Sequence, residues 1–324
     1  MTGATGFIGP YLIERLLSRG DTCRCLVRKA SIKSALEKTG VEFVEGDITK
    51  PESLCGVADG VDGLFHMATL GHMSNFTVTE SMFDAVNVHG AVNILNECLT
   101  SGVRKIVHCS TVAAMGICSD VPATELSECN PHHPYGRSKL RAEQAVLGMA
   151  TEKGLPVTII RFSMVYGPGD RRDILRLTRL AKKGLFPKIG NRPKLTPLIH
   201  VEDAVFGLLL AMEKGRPGEI YLMTNRQSEP FDDIIRIIQE TLGVPKVPVY
   251  MPEWGAKTLA TITENAFKLV GKAPPISRKN IESTLADRVF SIEKAEKDLG
   301  FNPSVDPEIG LRETVLWYKN QGWV

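Results

Sequence analysis

The chain has 324 residues, 43% of them hydrophobic, and a formal net charge of only +2. That is enough apolar material for a large core, in one α/β unit or two lobes, and it offers no basic field for nucleic acid. The apolar run at residues 205–212, VFGLLLAM, falls far short of the roughly 20 residues a membrane span requires, so no transmembrane segment is expected.

Gly3, Gly6 and Gly9 open the chain three residues apart, just ahead of a helical pattern at residues 11–18. Amide N–H groups at a helix start carry partial positive charge, and glycines let a pyrophosphate approach them without a Cβ in the way. A buried strand of about five residues normally feeds such a turn. Only Met1 and Thr2 precede Gly3 here. The expectation is therefore a strand upstream, lost to an internal start or a misassigned one, unless another segment fills the slot.

Strand-like runs follow at residues 22–27, 41–47, 61–68, 104–110 and 156–162. Helical patterns separate them at residues 32–38, 51–57, 80–100 and 135–150. This alternation predicts a doubly wound parallel sheet, the Rossmann arrangement, with right-handed crossovers and helices on both faces. After Tyr166 the texture changes to glycine, proline, short helices and single strands such as residues 219–223, and the chain ends in an amphipathic helix at 307–319. Residues 1–165 thus read as a dinucleotide-binding domain. Residues 166–324 read mainly as a substrate lobe, with some segments returning to the core and the ligand cleft between the two.

The second strand carries the cofactor preference. It ends in CLVRKAS, so Arg28 and Lys29, with Ser31 close by, stand where an NAD fold holds an acidic residue for the ribose hydroxyls. A guanidinium suits a 2′-phosphate. NADP(H) is the expected cofactor, with NAD(H) the alternative if the basic turn is merely solvated.

Tyr135 and Lys139 stand four apart in a helical pattern and therefore share a face. An ammonium beside a phenol lowers the phenol's pKa and makes it a general acid or base for a carbinol oxygen. Ser110 and Thr111, in the HCSTVAAMG strand end, can put a hydroxyl on the same oxygen.

Turn, strand-end hydroxyl and Tyr-Lys helix together resemble the extended short-chain dehydrogenase/reductase family, in its dihydroflavonol-reductase-like and 3β-hydroxysteroid-dehydrogenase-like branch. TGATGFIG resembles its cofactor turn, GDIT (46–49) its adenine contact, HMA (66–68) the strand end beside the dinucleotide, and NVHG (87–90) its central-helix motif. VYGPGD (165–170), IHVEDA (199–204) and DLGFNP (298–303) resemble later markers. The resemblance implies a catalytic set of Thr111, Tyr135 and Lys139, with Ser110 the alternative hydroxyl and Asn87 supporting the helix or a proton relay. For the cofactor it implies Gly3, Thr5, Gly6, Phe7, Ile8, Gly9, Arg28, Lys29, Asp47, Ile48, Met67, Ala68, Thr69, Tyr135, Lys139 and Phe162. Met164, Val165 and Tyr166 would meet the substrate. His200 and Asp203 are weaker candidates, Asp203 serving as a cap for the helix that follows it.

Such a family holds both net oxidoreductases and nucleotide-sugar epimerases or dehydratases. Met164 stands where sugar-nucleotide members carry an asparagine, and the stretch holding Arg278, Lys279 and Arg288 lacks their phosphate clamp. A thioether adapts to apolar shapes and donates no hydrogen bond. Trp254, Leu259, Ile262 and Phe267 offer apolar lining. The expectation is hydride transfer on an apolar or amphipathic ketone or alcohol; sugar isomerisation is the alternative, and a silent NADP(H)-binding regulator a third. Seven cysteines, an odd number with no C-x-x-C pair, read as reduced thiols, so neither a disulfide nor a metal site is expected. No charged-then-apolar leader precedes the glycines, which points to the cytoplasm. The expected partner is a small-molecule substrate, and a homodimer is compatible with that reading.

Overall fold

The structure is a computed structural model that describes residues 1–31, 36–37, 39–71, 78–184, 187–190, 192–245, 249–269 and 287–324. Its centre is a parallel sheet. Strands β1 (Arg24–Val27) and β2 (Glu42–Glu45) pair on one side. Strands β3 (Gly63–His66), β4 (Lys105–Thr111) and β5 (Val157–Phe162) lie on the other, with β10 (Ile220–Met223) at the far edge. β5 is buried along its whole length. Its sequence VTIIRF, apolar at most positions and β-branched at four of six, is what a strand covered on both faces needs.

Thr2 joins the two halves. It bridges Leu26 on one side and His66 on the other. Its N–H donates to the Phe65 carbonyl at 3.0 Å, and the Leu26 N–H donates to the Met1 carbonyl at 2.9 Å. The order across the sheet is therefore β2-β1-Thr2-β3-β4-β5-β10. Among the described residues no other segment enters the slot between β1 and β3. Below Met1 the halves part around an apolar groove lined by Leu26, Val44, Val57, Leu64, Ile94 and Cys98. The chain leaves Thr2 toward β1 and β2, then returns to build the other half. The glycine turn thus sits at the switch point where such sheets bind ligands.

Helices cover both faces. On one, α1 (Ile8–Ser18) and α6 (Val201–Lys214) bury Leu12, Ala204, Val205 and Leu208 against Val107, Ile160 and Tyr221. On the other, α3 (Gly90–Thr100) and α4 (Pro134–Lys153) pack Ile94, Leu95, Val146 and Met149 onto Ile106, Val157 and Ile159. Two elements differ from the sequence expectation. The helix expected at 51–57 shrinks to a single 3₁₀ turn, Pro51–Ser53, because Gly56 reverses the chain at φ 73°. The long helix expected at 80–100 is broken into α2 (Glu80–Asp84), a π turn (Ala85–His89) and α3. Most of the 32–38 helix expectation lies outside the described residues.

The second half of the chain adds β6 (Met164–Tyr166), paired with β9 (Leu198–His200), and two small ladders. These are β7 (Pro187–Ile189) with β12 (Val249–Met251), and β8 (Leu195–Thr196) with β11 (Glu229–Pro230). Helices α5 (Asp173–Lys182), α7 (Phe231–Leu242) and α10 (Pro307–Asn320) share a core of Tyr166, Ile174, Ile234, Ile238, Leu311 and Val315. Helices α8 (Glu253–Leu269) and α9 (Glu293–Leu299) complete the set. Among the described residues no helix is long and apolar enough to cross a membrane.

Gly3 shows how tightly the turn is built. It holds φ 74°, and a Cβ there would stand 2.7 Å from the Met67 carbonyl carbon and 2.8 Å from the Ala68 nitrogen. Left-handed backbone and a rigid main-chain clash add up, so Gly3→Ala is expected to cost at least about 2 kcal/mol. Urea unfolding of the two proteins checks this, and an unchanged midpoint would refute the reading.

Candidate active site

The sheet's carboxyl edge gathers the groups singled out in the sequence. Helix α4 presents Tyr135, Lys139 and Glu143 at i, i+4 and i+8, one face turned to that edge. Gly136 permits the approach: a Cβ there would lie 2.4 Å from the Ala113 carbonyl oxygen. The side chains of Thr111, at the end of β4, and Thr69, in the loop after β3, lie close enough to the Tyr135 hydroxyl for both to favour its ionised form. The Lys139 ammonium is buried and donates to the Cys109 carbonyl at 2.7 Å, using one of its three protons.

The two hydroxyls at the end of β4 have different partners. Thr111 faces Tyr135, and its own oxygen accepts from the Ala113 N–H at 3.2 Å. Ser110 donates instead to the Glu143 carboxylate. That carboxylate is also forked by Arg161, with Nη2 at 2.7 Å, and the pair is 1% and 4% exposed. Ser110 therefore faces away from Tyr135, inside a buried ion-pair network joining β4, α4 and β5.

Asn87 sits on the π turn, and all its hydrogen-bonding capacity is used. Its Oδ1 accepts from the Thr69 hydroxyl at 3.0 Å and the Leu70 N–H at 2.8 Å. Its amide donates to the Leu70 carbonyl at 3.1 Å and to Ser138 at 3.0 Å. It clamps the loop after β3 onto α4 rather than reaching Lys139.

The electrostatics differ from the simple Tyr-Lys expectation. Burial raises the Tyr135 phenol above its ordinary pKa, and the strongest charge opposing that is Arg172, not Lys139. Burial also lowers the Lys139 ammonium. Beneath them His66 and His108 stack at 5.2 Å between ring centroids. Burial pushes His66 down to about 3 and His108 well below its ordinary value, so both rings are neutral.

A dinucleotide must fit the residues on either side of the turn. Helix α1 starts with no side chain on its first N–H groups, and Thr5 and Gly6 are exposed there. Those free amides and the bare glycine surface suit a pyrophosphate. Gly9 has a packing role: its Cβ would stand 2.1 Å from the Ala4 carbonyl oxygen. Phe7 is half-buried, edge-on to Tyr11 at 6.1 Å, while Ile8 packs into the core. The Tyr11 hydroxyl donates to the Pro168 carbonyl at 2.7 Å and ties α1 to the segment expected to close the site. Met67 and Ala68 run along Gly3.

Past the carboxyl end of β1, Arg28 and Lys29 are exposed, and Ser31 accepts from the Arg28 N–H at 3.1 Å. Asp47 accepts from the Thr49 N–H and hydroxyl at 2.9 and 2.8 Å. Burial opposes its ionisation, but those bonds and the charges of Arg28 and Lys50 outweigh it and lower its pKa. Ile48 is buried, and the bare face of Gly90 makes room for it.

Several expected residues stand elsewhere. The Phe162 side chain is buried in the core, and Tyr166 is 1% exposed, its hydroxyl reaching the Pro307 carbonyl at 3.4 Å. Met164 and Val165 are half-buried. Asp203 does not cap α6: its carboxylate accepts from Ser304 and Val305, and the His200 ring caps the helix by accepting from the Glu202 N–H. Trp254 and Ile262 are 73% and 60% exposed, so α8 turns them to solvent. Arg278 and Lys279 lie outside the described residues. Arg288 is described, and burial lowers its guanidinium. All seven cysteines are free, and among the described residues no group of acidic, histidine or cysteine side chains could hold a metal. Sequence reasoning missed Glu143, Arg161 and Arg172. Glu143 had a signal, four residues beyond Lys139, whereas nothing local marks Arg161 as its partner.

A glycine turn at the switch point and a tyrosine beside a strand-end threonine suit a nicotinamide-dependent enzyme of Rossmann type. The model of the NAD dependent epimerase/dehydratase family matches residues 1–223, and the chain belongs to that family. It is 27% identical to the 2-alkyl-3-oxoalkanoate reductase of Stenotrophomonas maltophilia, over 96% of each chain. It is 28% identical to a decarboxylating sterol-4-alpha-carboxylate 3-dehydrogenase of Schizosaccharomyces pombe, over 97% of this chain and 95% of that one. The crystal structure of a dTDP-glucose 4,6-dehydratase from Streptomyces venezuelae with NAD bound matches with a TM-score of 0.79 at 26% identity, covering 99% and 97% of the two chains. The protein is an enzyme of the extended short-chain dehydrogenase/reductase type.

The buried carboxylate that fixes α4 is open to test. Glu143→Ala leaves Arg161 charged and unpaired in the core, which is expected to cost about 3–5 kcal/mol. Chemical denaturation reads the loss directly; a shift below about 1 kcal/mol would mean that the pair does not anchor the helix.

Proposed function

We propose that the protein transfers hydride between NADP(H) and a secondary alcohol or ketone on an apolar or amphipathic substrate, with Tyr135 as the acid/base. The observation that carries the reading is the Tyr135 phenol beside the Thr111 and Thr69 side chains, on the helix face that also carries Lys139. When bound, the nicotinamide supplies or accepts the hydride. Tyr135 gives the proton to the carbonyl oxygen in reduction and takes it back in oxidation, Thr111 orients that oxygen, and Lys139 keeps donors free for a ribose. Burial holds the phenol protonated at neutral pH, the form that reduction needs.

Net redox is favoured over sugar isomerisation by Met164, a half-buried thioether that donates no hydrogen bond, where sugar-nucleotide members carry an asparagine. Both named relatives support this, since their substrates are a carbon chain and a sterol. In both names the carboxylate stands one carbon away from the oxygenated carbon. NADP(H) over NAD(H) is supported by Arg28, exposed at the end of β1 and near enough to Asp47 to shift it.

Two substitutions test the parts separately. Tyr135→Phe removes the proton donor and keeps the ring, so turnover should fall by roughly 10²–10⁴ with cofactor affinity little changed. Turnover near that of the unmodified protein would sink the assignment. Arg28→Ala should weaken NADPH by a factor of about ten to a hundred, since a charge-assisted contact is worth about 1.5–3 kcal/mol, and leave NADH nearly alone. Equal dissociation constants for NADPH and NADH in the unmodified protein would refute the preference.

A further inference from the structure

The loop between β6 and α5, residues 167–172, crosses the start of α1, and hydride transfer makes no use of how it is held. Two contacts fix the crossing. The Tyr11 hydroxyl, in the first turn of α1, donates to the Pro168 carbonyl at 2.7 Å, 157 residues away in the chain. A Cβ on Gly169 would stand 4.0 Å from Phe7 Cδ2, so the bare face of Gly169 rests on the Phe7 ring. Phe7 and Tyr11 are four residues apart and share one face of the helix start, their ring centroids 6.1 Å apart. Phe7 directly follows Thr5 and Gly6, the exposed turn whose amides suit a pyrophosphate. The loop therefore lies against the rim of that turn.

The loop is anchored at both ends and tied once between them. At its start β6 pairs with β9, Tyr166 opposite His200. Toward its end Asp170 is buried; its N–H donates to the Gly167 carbonyl at 3.1 Å, and its carboxylate accepts from the Arg172 N–H at 3.0 Å. Pro168 has no N–H, so its carbonyl is its one main-chain hydrogen-bonding group. Among the described residues no hydrogen bond other than that from Tyr11 reaches Pro168 or Gly169 from outside the loop. Burial, with Glu202 and Glu14 near, raises the Tyr11 phenol to about 12, so it stays a donor across the neutral range. Tyr11 and Pro168 also line an open cavity of about 600 Å³, together with His200, Glu202 and Trp317. The ring has room to swing off Pro168 without displacing packed neighbours.

We propose that Tyr11 latches this loop against the rim of the glycine turn and so sets how slowly a bound nicotinamide dinucleotide leaves. Tyr11 is a positioning residue: it acts through Pro168 and takes no part in hydride or proton transfer. With the latch made, the loop lies on Phe7 and a dinucleotide on the turn waits for it to lift. With the latch broken, the ring turns into the cavity and the loop is held at its ends alone. Opening costs one hydrogen bond and leaves the sheet intact, which is the kind of local event that gates release in many enzymes. This rests on the dinucleotide lying at the glycine turn, and goes beyond it by naming what governs its exit.

Tyr11→Phe removes the hydroxyl and keeps the ring on Phe7. In a stopped-flow fluorimeter, bound NADPH is chased with excess NADP⁺, and bound NADH with excess NAD⁺, and the fading fluorescence reads release. Tyr11→Phe is expected to speed release of whichever cofactor binds tighter by about three- to tenfold, the worth of one hydrogen bond. The association rate constant should change by less than about twofold, since a latch acts on the bound state, and the melting temperature should hold. Equal release rates in the two proteins would overturn the latch and leave the cofactor reading standing. Faster release that comes with a lowered melting temperature and slower association would mark the hydroxyl as merely structural, and would overturn it equally. If neither NADPH nor NADH binds the unmodified protein, the dinucleotide reading falls and the latch falls with it.

Discussion

The site depends on how one helix is held against one sheet edge. Tyr135, Lys139 and Glu143 lie along a single face of α4, and Glu143 is held by an ion pair and a hydrogen bond from two strands at once. Its carboxylate receives Arg161 from β5 and Ser110 from β4, all of them buried. A buried ion pair gains little net stability over apolar packing, but it tolerates few alternative geometries. A helix resting on Ala142 and Val146 alone could slide along its axis at modest cost. With Glu143 forked, a slide of one residue would strand two charges in the core. The register that brings Tyr135 to Thr111 is fixed two turns away from the chemistry.

The same logic extends to the loop after β3. Backbone alone would let Thr69 and Leu70 wander, since residues that follow a strand's carboxyl end have no ladder to hold them. Asn87 supplies what the ladder does not, with two bonds to Leu70, one to Thr69 and one to Ser138 on α4. A regular α-helix across residues 80–100 would aim position 87 elsewhere. The wider π turn at Ala85–His89 redirects it, and such turns recur at functional sites for this reason. Two buried polar side chains, Asn87 and Glu143, thus hold the elements that carry Thr69, Thr111 and Tyr135.

Much of this was legible in the sequence. The parallel arrangement followed from strand-like runs alternating with helical patterns, and the observed strands β1 to β5 fall within a few residues of those runs. The glycine turn, Thr111 and Tyr135 were readable because they are local patterns with a fixed spacing. What was not readable is long-range or subtractive. Arg161 finds Glu143 across 18 residues, and Ser110 is turned away from Tyr135 by that same carboxylate. Tyr166 looked available beside VYGPGD, yet the fold buries it under Pro307, more than a hundred residues on. Trp254, Leu259 and Ile262 read as apolar lining, but α8 leaves all three exposed. The pattern gives a face's polarity; only the fold says what stands opposite.

The cations near the sheet's carboxyl edge differ in kind. Lys139 sits deep, is pulled down by burial, and leans on a backbone carbonyl. Arg28 and Arg172 are exposed guanidinium groups that cannot lose their charge, one beyond β1 and the other before α5. The rings under the sheet edge, His66 and His108, are neutral, so they add no positive charge to compete with either. A surface arginine normally finds a carboxylate, as Arg137 finds Glu80 at 2.8 Å and Arg312 finds Glu308 at 2.7 Å on this same molecule. Those pairs sit on helix faces that solvate them well and bring little net energy. Arg172 has an acid as well, Asp170 at 3.8 Å, whose Oδ1 also accepts from the Arg172 main-chain N–H at 3.0 Å, so that carboxylate serves the turn and the charge together.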